Sequence, residues 1–165
     1  MVCIYYHPEA YTTSGPKLMG RNAAGESFLR GFFEHSKSVE FWAQVQRLDH
    51  GKHFAQSAQS HGRKKPVKVV DKNALGALVH AGVVYFPGPG IGEHAFQRAA
   101  YGHDAWGLCG ITHTTSSAGA MDAIAELVTS PVQAWDALIC TSTAVKDNVA
   151  RLLRAQRSTL KSGWV

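Results

Sequence analysis

Cysteine is scarce in this chain of 165 residues: there are three, at positions 3, 109 and 140, without metal-type spacing among them. That excludes a disulfide framework and a cysteine-built zinc site. All three fall in short apolar stretches and read as small core residues of a protein kept reduced. Long hydrophobic runs are also missing. None approaches the ~20 residues a membrane-crossing helix needs. The opening MVCIYYH has no basic segment before its apolar residues, so it reads as a strand and not a signal peptide, and a cytoplasmic protein is expected.

Dense charge is missing too. The formal net charge is +5, yet the one basic run is RKK at 63–65, just before Pro66. Aromatic residues are not interleaved with basic ones as a base-stacking surface requires, so nucleic acid is not an expected partner. The run reads as a solvated loop. The positive balance leaves room for phosphorylated ligands, or for a weak peripheral association with an anionic membrane surface.

What is present is a folded composition, 45% hydrophobic and 18% charged, in a length that suits a single domain over 1–165. Short, fully apolar segments alternate with amphipathic ones. Strands are expected at 2–6, 39–45, 67–70, 83–86, 107–112 and 137–140. The segment 50–61 is polar and reads as a short helix or loop. Helices are expected at 23–35, where Phe28, Leu29, Phe32 and Phe33 share a face, and at 73–80, closed by Gly82. Others follow at 93–101, over Met121 to Val128 ahead of Pro131, and from Thr143 to about Arg157 with Ser142 as N-cap. Fully apolar strands joined through helices predict an α/β fold: a doubly wound, Rossmann-like parallel sheet in three αβα layers, strand order 3-2-1-4-5-6.

Ligands of such sheets sit at the carboxyl ends of the strands. Three segments fall there. The loop after the first strand holds Gly15, Gly20 and Arg21, with His7 at the strand's end; glycines let backbone amides approach a phosphate at a helix N-terminus. It fits neither G-x-G-x-x-G nor the P-loop pattern. Gly25 in the same region reads as a helix-packing glycine. The segment PGPGIG at 87–92 contributes Gly88 and Gly90 and can wall a pocket. The apolar run 106–111 ends abruptly in THTTSS, which makes His113 the foremost candidate catalytic side chain, with Thr114 beside it. No metal-binding group, nucleophile triad or pair of acid–base carboxylates is legible. An acidic cluster of the kind a receiver domain needs is absent as well.

Three stretches resemble the amino-terminal half of GT-B glycosyltransferases of the family 4 (group 1) type: LMGRNAAGESFLR at 18–30, GITHTT at 110–115 and WDALICTS at 135–142. The resemblance implies an acceptor-side domain of an enzyme that moves a sugar from a nucleotide-sugar donor to an acceptor, without metal or other cofactor. It implies that Gly15, Gly20 and Arg21 approach the donor's diphosphate or sugar and that His113 lies near the reacting sugar. The family's donor-binding domain, with its E-x7-E carboxylates, has no counterpart in these 165 residues, so it is expected in a further carboxyl-terminal domain. The chain alone is then inactive. The alternative from the residues themselves is a stand-alone α/β module that holds a sugar or phosphate without turnover.

Overall fold

A computed structural model describes residues 1–13 and 20–163 of the chain. Six short strands lie in the order β3-β2-β1-β4-β5-β6, with helices between them. The fold is α/β, a doubly wound, Rossmann-like parallel sheet in αβα layers, as the alternation of apolar strands and helical segments predicts. The chain divides into two compact units, Met1–Pro87 and Gly88–Val165.

In the first unit, β1 (Val2–Tyr6), β2 (Phe41–Val45), β3 (Val67–Asp71) and β4 (Val83–Tyr85) pair in parallel. The registers set Cys3 opposite Trp42 and Val84, and Phe41 opposite Val67. Every residue of β2 is buried, which is why that strand shows no polar alternation. Its expected start at Val39 is too early, since Val39 is 80% exposed and gains nothing from the sheet. Helix α2 (Gly20–His35) turns Leu29 and Phe33 into the core and stacks Phe28 on Tyr85 with 4.0 Å between ring centroids. Phe33 also meets Phe41 and Phe54, at 5.1 and 5.2 Å. Fully burying each such ring contributes about 1.5–3 kcal/mol.

A one-turn helix, α1 (Pro8–Tyr11), stands where a loop was expected. Tyr11 stacks on Tyr6 and donates its hydroxyl to the Tyr5 carbonyl at 3.0 Å. A Cβ at Gly25 would collide with the Ala10 carbonyl, so Gly25 is the packing glycine between α1 and α2. Helix α3 (Leu48–Ser60) is a full 13 residues, beginning two before the polar segment read as short helix or loop. Its buried side is narrow, with Gly51, Phe54 and Ala58 alone. The expected helix at 73–80 is a 3-10 helix over Leu75–His80, and the Gly82 amide caps it onto the Leu78 carbonyl at 3.2 Å.

In the second unit, β5 (Gly107–Thr112) pairs in parallel with β6 (Ala137–Cys140), Thr112 opposite Cys140. Helix α4 (Gly92–Ala99) buries Ala95 and Arg98. Helix α5 (Ala118–Ala125) runs into a 3-10 turn, Glu126–Val128, and stops short of Pro131. Helix α6 (Thr143–Ser162) opens on Ser142, whose Oγ accepts from the Val145 amide at 3.2 Å. It continues past the expected end near Arg157, because its last turns are polar and lack periodicity yet contain no helix breaker.

Candidate functional site

The carboxyl end of β5 is built by close backbone approach. The Ile111 amide donates to the Gly88 carbonyl at 3.2 Å, drawing the 88–92 segment over the strand. A Cβ at Gly110 would lie 2.8 Å from that carbonyl oxygen and 2.9 Å from Cγ2 of Ile91. Glycine is therefore the residue this crossing admits. Gly88 and Gly90 have more room: a Cβ meets nothing within 4 Å at Gly88, and only Ala123 at 3.7 Å from Gly90. What the segment supplies at the strand end is main chain.

Beyond Gly110 the strand ends at Thr112, which is fully buried. Its carbonyl accepts from the Thr141 hydroxyl at 3.1 Å, which ties the ends of β5 and β6 together. Its own Oγ1 is buried without a hydrogen-bond partner among the described residues. His113 follows, half-buried. Desolvation lowers its pKa from the usual 6.5, so the imidazole is neutral at pH 7. It makes no hydrogen bond to another described residue, so one ring nitrogen is open to accept and the other to donate.

The turn after His113 is ordered by its own hydroxyls. Thr114 Oγ1 and Ser116 Oγ are 2.6 Å apart, and the Ser116 amide donates to Thr114 Oγ1 at 3.1 Å. Ser117 caps α5 by accepting from the Ala120 amide at 3.3 Å. Thr115 Oγ1 accepts from Asn148 Nδ2 of α6 at 3.4 Å. The predicted residues Gly88, Gly90, His113 and Thr114 thus belong to one unit, around the end of one strand. The sequence pointed to His113 and Thr114 through the abrupt end of an apolar run. It gave no sign of Asn148, which lies 33 positions from the hydroxyl it meets.

The remaining predicted residues belong to the first unit. His7 sits at the N-cap position of α1 in an extended conformation; its carbonyl accepts from the Ala10 amide at 3.1 Å and its ring lies edge-on to Tyr5 at 6.2 Å. Gly20 is the exposed first residue of α2, where a Cβ would meet nothing within 4 Å. Arg21 follows in the same helix. Gly15 lies outside the described residues. Among the described residues no three His, Cys, Asp or Glu side chains gather closely enough to hold a metal ion. None of the helices there is long and apolar enough to cross a membrane.

The class these observations define is a parallel α/β protein with a hydroxyl-lined strand end and a neutral histidine. Comparison with family models, curated proteins and solved structures finds no match to this chain.

Proposed function

We propose that this chain is the acceptor-side domain of a glycosyltransferase that moves a sugar from a nucleotide-sugar donor to an acceptor, the donor being held by a further domain. The observation that carries this reading is His113: half-buried, neutral at pH 7, and without a hydrogen bond to another described residue, at the carboxyl end of a parallel strand. Sugars present dense hydroxyls that both donate and accept. A neutral imidazole can answer both roles, which a protonated one cannot. The GITHTT stretch that carries the family resemblance contains this residue.

On this reading His113 holds an oxygen of the reacting sugar, and the main chain of 88–90 with the Thr114 hydroxyl shapes the wall beside it. Gly15, Gly20, Arg21 and His7 contact the donor or acceptor. The protein then acts in carbohydrate biosynthesis in the cytoplasm. The test is turnover by the complete gene product, with nucleoside diphosphate release from a panel of nucleotide sugars as the readout. Nanomolar-to-micromolar sugar binding by residues 1–165 alone, with no transfer by the complete product, would instead support the stand-alone binding module.

A further inference from the structure

Thr115 and Asn148 also line a cavity of about 380 Å³ between α5 and α6, with Met121, Arg151, Leu152 and Ala155 as its other walls. That volume falls within the ~300–1,000 Å³ range of small-molecule sites. The lining has two characters. Met121, Leu152 and Ala155 form an apolar part; the Arg151 guanidinium, the Asn148 amide and the Thr115 hydroxyl form a polar part next to the turn that carries His113.

Arg151 is the informative residue. Asp147 precedes it by one helical turn, the spacing at which an acid N-terminal to a base forms a favourable pair. Nevertheless Arg151 makes no ion pair with any described residue. It lines the cavity while remaining exposed to solvent, so its charge is accessible to a ligand. A ligand with an anionic group can pair with that guanidinium, which a neutral sugar cannot, and one with an apolar part can cover Met121 and Leu152, which a bare inorganic anion cannot.

We propose that the α5–α6 cavity is a subsite for an anionic amphiphile: a phosphate or carboxylate head on Arg151 and Asn148, with an apolar tail against Met121 and Leu152. Resting on the transferase reading, this subsite anchors the acceptor, which is then a negatively charged amphiphile and not a plain sugar. The Thr115 hydroxyl, two residues from His113, links the anchoring cavity to the reacting end.

The test is calorimetric titration of the chain with octyl phosphate below its micelle concentration, beside octyl glucoside, inorganic phosphate and phosphatidylglycerol vesicles. Octyl phosphate should bind at least tenfold more tightly than octyl glucoside or inorganic phosphate. Arg151→Gln should remove that advantage while the far-UV circular dichroism stays unchanged; Arg151 is exposed, so its replacement does not threaten the fold. Arg151-dependent binding of octyl phosphate assigns a free amphiphile. The same dependence with vesicles alone assigns a membrane lipid, and either supports the subsite. Equal binding of octyl glucoside, or unchanged octyl phosphate binding in Arg151→Gln, overturns it. His113→Asn separates the two readings. It should lower transfer by the complete protein roughly 10- to 100-fold and leave octyl phosphate binding unchanged, so loss of the subsite and loss of transferase function give different results.

Discussion

Arg98 on α4 grips Asp136 at the head of β6 through two bonds, 2.7 Å from Nη1 to Oδ1 and 2.8 Å from Nη2 to Oδ2. The two side chains are 0% and 2% exposed. Neither is left to rely on the other alone. Arg98 also donates to the Trp106 and Pro131 carbonyls, and Asp136 accepts from the Leu108 and Gln133 amides. The pair thereby fixes where β5 and β6 begin, and hence where the Thr112–His113 end of β5 falls. Removing one partner leaves a buried, uncompensated charge, a loss of about 3–5 kcal/mol. Asp136→Ala and Arg98→Met are each expected to shift the urea midpoint by that order, or to prevent folding. A change of less than about 1 kcal/mol would show the network to be dispensable.

Gly110 and Gly31 make opposite predictions for the same substitution. At Gly110 a methyl group meets the Gly88 carbonyl and Ile91, so Gly110→Ala should cost about 1–3 kcal/mol and disturb the strand end. At Gly31, inside α2, a methyl group meets nothing within 4 Å. Gly31→Ala should therefore stabilise by up to about 1 kcal/mol. Urea unfolding of both variants checks the contrast.

Acid should weaken the fold through its histidines. Burial lowers the pKa of His113, and that of His94 on α4, below 6.5. The unfolded chain then takes up these protons first, so stability falls as pH drops through 6.5 and levels off below the folded-state values. Urea midpoints between about pH 7.5 and 5.5 should decline, and His113→Asn should flatten the decline. A slope unchanged in that variant would show that His113 titrates as it does in the unfolded chain.

Burial also protects Cys3, whose thiol pKa is pushed up to about 12. Iodoacetamide at mildly alkaline pH should leave Cys3 unmodified in the native protein and label it on unfolding, since the thiolate is the reactive form. Cys109 and Cys140, both only partly buried, should react before Cys3. Rapid native-state labelling of Cys3 by mass spectrometry would contradict the packing of β1.

The sheet was legible because buried parallel strands are written as short apolar runs, and the run ending at Thr112 marked its own carboxyl end. Helix α3 was poorly legible: a face made of one phenylalanine, one glycine and one alanine is too thin to stand out from polar neighbours. The Arg98–Asp136 network was not legible at all. A charged residue in a short helix reads as solvated, and its partner lies 38 positions away. Gly110 was hidden for a related reason, since only the approach of Gly88 distinguishes it from any small strand residue. Of the candidate site, the sequence yielded the residues a strand end presents. What it withheld was the partner across α6, Asn148, and Arg151 in the same cavity lining.

The proposed transfer depends most directly on His113 meeting a sugar. The decisive measurement is kcat/KM for nucleoside diphosphate release by the complete gene product, wild type against His113→Asn, with circular dichroism to show the fold intact. Loss of one hydrogen bond to a group that gains charge should cost about 1.5–3 kcal/mol, a fall on the order of 10- to 100-fold. Equal turnover by the two proteins would contradict the role assigned to this strand end.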